Sequence, residues 1–145
     1  VRPLFLQVLS LLEPNFKKAK LHPKLIFEKE TLEAFIDSVQ LTQVLFNILI
    51  NAIYVAPKES TISISVTQEQ EHFYFEIADH GIGIPDAAKR KIFEPFFTTK
   101  PLGEGTGLGL SVVHGIVKSH AGSITIKDNL PCGAIFCVRL PLNLK

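Results

Sequence analysis

The stretch from Asp79 to Gly109 holds the residue types and spacings best suited to chemistry. It reads D-H-G-I-G-I-P, then a basic turn, then F-E-P-F-F-T-T-K and P-L-G-E-G-T-G-L-G-L. Six of the nine glycines fall inside it, at 81, 83, 103, 105, 107 and 109. Glycine is costly in regular structure and useful where backbone takes positive φ or comes close to a ligand. Spacing excludes two familiar phosphate loops. A P-loop needs Lys-Ser or Lys-Thr after its last Gly, whereas Gly107 and Gly109 are each followed by Leu. A dinucleotide fingerprint needs Gly at 108 or 110, and both are Leu.

Asp79 follows an apolar strand pattern and precedes flexible backbone, so its carboxylate is expected at the end of a sheet. There it can accept a hydrogen bond from an exocyclic amine, while Gly81 and Gly83 leave room for a flat ring. Gly103 to Gly109 runs straight into S-V-V-H-G-I-V-K, an apolar helical pattern. Such a junction offers backbone N–H groups and the positive end of a helix dipole to an anion. A base at one end and phosphates at the other is the chemistry these parts predict; a pair of ordinary glycine turns is the alternative.

A second constellation lies upstream. Asn47, Asn51 and Tyr54 stand at i, i+4 and i+7 along one edge of an apolar helical stripe. Asn favours caps over helix interiors, so two of them one turn apart ask for a reason. Their side-chain oxygens suit a hard cation such as Mg²⁺ held by phosphates; solvated edge residues are the plainer alternative.

The elements that position these residues follow from periodicity. Val1 to Lys20 reads as a helix that Pro14 breaks or kinks, ending in Lys17, Lys18 and Lys20. Leu25 to Glu28 is a short strand candidate and Leu32 to Ile36 a weaker one. Asp37 to Ala56 is a helix with Asp37 and Gln40 at capping-box spacing and a buried stripe of Leu41, Val44, Leu45, Ile48, Leu49, Ala52 and Ile53. Thr61 to Val66 and His72 to Ile77 alternate as a hairpin around a polar turn at Gln68 to Glu71. Leu108 to His120 is a helix that Gly122 ends, and Ser123 to Asp128 with Ala134 to Leu140 form a second antiparallel pair. The inventory predicts an α+β two-layer sandwich: a mixed, mostly antiparallel sheet packed on one layer of helices.

At 145 residues the chain is long enough for one domain with a sizeable core, and 46% apolar content with 20% charge is globular. A net charge of +1 gives no footprint for nucleic acid. Cys132 and Cys137 are read on one strand facing opposite ways, which argues against a disulfide. No apolar run of membrane-spanning length stands out. The start at Val1 and the lack of Met read as an excerpt of a longer chain.

Together the motifs resemble the ATP-binding catalytic domain of bacterial sensor histidine kinases, within the superfamily that includes gyrase and MutL. Q-L-T-Q-V-L-F-N-I-L-I-N-A resembles the family's asparagine box, D-H-G-I-G-I-P its first glycine box, F-E-P-F-F its phenylalanine box and G-E-G-T-G-L-G-L-S its second glycine box. All four stand in family order. The resemblance implies ATP and Mg²⁺ as cofactors. Asn51 would hold the metal with Asn47 assisting, Asp79 would bind the adenine amine, and Gly81, Gly83 and Ile84 would line the base. Thr98, Gly103, Gly105, Thr106, Gly107, Leu108 and Gly109 would surround the triphosphate. Phe93, Phe96 and Phe97 would anchor a lid running from about Arg90 to Thr106, and Lys91 or Lys100 would supply charge at the γ-phosphate. Tyr54 stands where many members carry a basic residue. Asn47 stands where related ATPases carry a Glu general base, which an amide cannot replace.

The resemblance further implies a phosphoacceptor His on an upstream dimerisation domain, a response-regulator receiver as the next partner, a cytoplasmic location for this domain with membrane anchoring of the whole protein left open, a monomeric fragment and a homodimeric whole. None of His22, His72, His80, His114 or His120 has the acceptor's sequence context. A protein serine kinase of the anti-sigma type shares the boxes and is the alternative.

Overall fold

The computed structural model describes residues 2–27, 37–84, 89, 93, 109–129 and 132–142. Helices α1 (Arg2–Leu11), α2 (Glu13–Lys18), α3 (Ser38–Val55) and α4 (Gly109–Ser119) accompany strands β1 (His22–Phe27), β2 (Thr61–Glu69), β3 (His72–Ala78), β4 (Ser123–Asp128) and β5 (Ala134–Pro141). The sheet order is β1-β2-β3-β5-β4. Only β1 and β2 run parallel, joined through α3; the other neighbours are antiparallel. The predicted mixed, mostly antiparallel sheet with one helical layer is what the chain adopts.

Alternation explains the layering. Ile62, Ile64 and Val66 on β2, Phe73, Phe75 and Ile77 on β3, and Ala134, Phe136, Val138 and Leu140 on β5 are all buried toward the helices. Ser63, Ser65, Glu76 and Cys137 occupy the opposite, wetter face. From α3 the stripe Leu41, Val44, Leu45, Ile48, Leu49 and Ala52 meets this sheet, and Val113 and Val117 do so from α4. Phe5 keys α1 into the same core by edge-on contacts with Phe27 and Phe75, at 5.6 and 5.4 Å between centroids. By length and mean hydropathy α3 qualifies for a membrane span, contrary to the sequence reading, but its apolar stripe lies in this core.

The predicted break at Pro14 is present, with the proline in the first turn of the separate helix α2, where a missing N–H costs nothing. Several boundaries differ from expectation for physical reasons. Strand β1 begins at His22, not Leu25, because parallel pairing with β2 and the bond from His22 N–H to Ser60 O (3.1 Å) extend it. The hairpin turn is tighter than predicted: Glu69 pairs with His72 and Gln70 takes φ 56°. At the end of α4 the left-handed residue is Ala121 (φ 57°), and Gly122 donates to Val117 O at 2.9 Å. Gly122 is required for a different reason: a Cβ there would lie 2.3 Å from Arg139 O. Cys132 lies in the turn before β5 rather than on the strand, and both cysteines are free. Leu32 to Ile36 and Glu28 lie outside the described residues.

Candidate functional site

Period-two alternation carries β3 directly into the site. Phe73, Phe75 and Ile77 point inward, and Asp79 is the next inward position, so a carboxylate replaces an apolar side chain at the sheet's end. It is 2% exposed. Asp79 N–H donates to Ala134 O at 3.0 Å, continuing the β3–β5 ladder. Its Oδ1 accepts from the N–H groups of Gly81 (2.8 Å) and Ala134 (3.3 Å). Burial holds the carboxyl above its ordinary pKa of 3.8; these two bonds and nearby His80 pull the other way without cancelling it. Both bonds end on Oδ1.

The two glycines that follow serve different ends. A Cβ on Gly81 would meet Val55 O at 2.6 Å, so its bareness admits the C-terminal end of α3 rather than leaving open room for a ring. Gly83 takes φ +79°, a conformation that favours glycine. Ile84 is half-buried and packs on the core.

The asparagine edge lies on α3. Asp37 caps this helix, accepting from Val39 N–H at 2.9 Å and Gln40 N–H at 3.1 Å. Asn47 and Asn51 are half-buried, and Tyr54 is 42% exposed. Asn47 Nδ2 donates to Gly109 O at 3.2 Å, tying the edge to the first residue of α4. Among the described residues Asn47 makes this bond through its amide nitrogen. Half-buried side-chain amide oxygens one helical turn apart are a donor set that fits a hard, phosphate-bound cation.

Phe93 stacks on His114 of α4, with centroids 5.5 Å apart and planes at 29°. Lys91, Thr98, Lys100, Gly103, Gly105, Thr106, Gly107 and Leu108 lie outside the described residues, as do Phe96 and Phe97. Of the histidines, His120 is buried with Nδ1 2.9 Å from Ile116 O, and His72 Nε2 lies 3.1 Å from an Arg139 nitrogen. Cys137 sits beside Glu76, and burial, then Glu76, push its thiol up to about 11, which keeps it protonated.

Sequence reasoning missed the turn between β4 and β5. Asn129 Nδ2 donates to Asp79 O at 2.7 Å, and a Cβ on Gly133 (φ +117°) would lie 2.0 Å from that same oxygen. Gly133 is visible in sequence as a glycine between cysteines, but nothing there points to residues 50 positions upstream.

Comparison with known proteins agrees with this architecture. Residues 36–144 match the family described as histidine kinase-, DNA gyrase B-, and HSP90-like ATPase. The chain belongs to that family, and its fold is that of a histidine-kinase catalytic ATP-binding domain. It is 41% identical over 108 residues to sensor histidine kinase ZraS of Escherichia coli O157:H7, covering 74% of this chain and 23% of that protein. The chain thus spans about a quarter of the length of such curated relatives. The nucleotide-free catalytic domain of histidine kinase ThkA superposes with TM-score 0.91 at 30% identity, covering 99% of this chain and 93% of that one. ThkA was also solved with response regulator protein TrrA (TM-score 0.85, 29% identity, 98% and 40% covered). Full-length ShkA with AMPPNP matches at TM-score 0.86 and 25% identity, covering 99% of this chain and 30% of that one.

Proposed function

We propose that this chain is the catalytic ATP-binding domain of a two-component sensor histidine kinase. It binds Mg-ATP and donates the γ-phosphate to a His on a dimerisation domain of the same protein, for onward transfer to a response-regulator Asp. The observation that carries this reading is Asp79, an acceptor held by backbone at a sheet's end with both of its described bonds on one oxygen. The remaining oxygen, Oδ2, accepts from the adenine amine; Gly81, Gly83 and Ile84 border the base. Asn51, assisted by Asn47, holds the metal, and the start of α4 at Gly109 faces the phosphates. When bound, Mg²⁺ neutralises charge on the β- and γ-phosphates. Tyr54 sits on the same edge as a neutral neighbour of the phosphates. Lys91 or Lys100 supplies charge at the γ-phosphate, and Thr98 with the glycines from 103 to 107, Thr106 and Leu108 surround it.

An amide cannot accept a proton, so Asn47 leaves the site without a general base for water. Phosphoryl transfer requires positioning and charge neutralisation more than covalent help. The domain therefore holds ATP for an incoming His instead of hydrolysing it. The AMPPNP complex of ShkA and the regulator complex of ThkA support the nucleotide and partner parts of this reading. A cytoplasmic location and a homodimeric whole protein follow from the same reading.

The test uses γ-labelled ATP. The chain alone should bind ATP, hydrolyse it slowly and stay unlabelled, while a histidine-bearing dimerisation domain added in trans should acquire acid-labile label. Acid-labile phosphate on the isolated chain would overturn the reading, and serine phosphate on a partner would favour an anti-sigma-type kinase.

A further inference from the structure

Asn129 and Gly133, in the connection from β4 to β5, touch the backbone of Asp79. Asp79 is bonded to this turn through both main-chain groups: its N–H to Ala134 O at 3.0 Å and its O from Asn129 Nδ2 at 2.7 Å. With both ends of the residue held, its φ and ψ cannot drift without breaking a bond in a buried place, so the turn sets the carboxylate's aim. The turn is itself closed by the bond from Asn129 N–H to Gly133 O at 3.1 Å. Only a glycine at 133 permits the close approach to Asp79 O.

We propose that the β4–β5 turn is a positioning element of the nucleotide site, with Asn129 aiming Asp79. This rests on the reading of Asp79 as the group that recognises the base. Asn129 acts only through Asp79, so its loss acts at the base end: on ATP and ADP alike, and on adenine against guanine.

The experiment is competition binding of ATP, ADP and GTP to the full 145-residue chain. Asn129→Ala should weaken ATP and ADP by the same factor, about fivefold to tenfold, and narrow the ATP-to-GTP ratio to match. Should that variant not fold, Asn129→Ser, which keeps a shorter donor, should show a smaller shift of the same pattern. Wild-type ATP affinity in Asn129→Ala, or equal losses for ATP and GTP, would overturn Asn129's role. Asp79→Asn separates the two levels. If it leaves the ATP-to-GTP ratio unchanged, the base reading itself fails. If it collapses the ratio while Asn129→Ala does not, only the turn's role fails.

Discussion

The base end and the asparagine edge are built on opposite principles. Asp79 is a nearly inaccessible carboxylate whose backbone and one oxygen are held by residues from two other segments. Asn47 and Asn51 are neutral, half-buried side chains on one helix, with a single described bond between Asn47 and α4. Burying a charge is expensive and tolerates little error, so the base end is tightly determined. Amides at a helix edge cost little whether or not a ligand is present. A site can thus keep selectivity in its costly part and exchangeable charge in its cheap part.

The comparison is broken most severely at Gly133. Gly133→Ala drives a methyl into Asp79 O from a positive-φ position and should destabilise the fold by about 2–4 kcal/mol, measured by urea unfolding. A tolerant Gly133 would mean the base end is not tightly held.

Asp79→Asn should weaken ATP about tenfold to a hundredfold, the cost of losing a charge-assisted bond in a buried site. Calorimetry showing wild-type affinity would remove the adenine assignment. The fold should be as stable or more so at pH 7. Asn keeps an oxygen for the Gly81 and Ala134 N–H groups and removes the charge that burial penalises. Because burial raises the folded pKa of Asp79, the folded state binds the proton more tightly than the unfolded chain. The wild type's penalty is therefore present at neutral pH and fades as pH falls through the raised folded value toward 3.8. The variant's stability advantage should shrink over the same window in unfolding curves taken from pH 7 downward.

At the cheap edge, Asn51→Ala should weaken Mg-ATP by more than tenfold, roughly one charged contact, yet leave metal-free ADP and thermal stability nearly unchanged. Equal weakening of both nucleotides would make Asn51 structural and erase the contrast. The smallest effect is a control outside both regions. Gly115 lies mid-helix in α4 with nothing among the described residues within 4 Å of an added Cβ, so Gly115→Ala should stabilise by about 0.5–1 kcal/mol.

The local patterns determined a great deal by themselves. Alternation in β2 and β3, the stripe and Asp37 cap of α3, and the order of the four boxes specify the layers and the family, because periods of two and 3.6 and motif spacings are properties of neighbouring residues. They also placed Asn47, Asn51 and Tyr54 on one helix edge and Asp79 at a strand's end. What only the tertiary structure decided lies between distant segments. The parallel start of β1, Val55 against Gly81, Asn47 on Gly109, and Asn129 with Gly133 around Asp79 join residues far apart in sequence. Sequence spacing carries no record of such pairings. They are selected when the whole core closes, because a buried polar group must find a partner wherever packing brings one within reach.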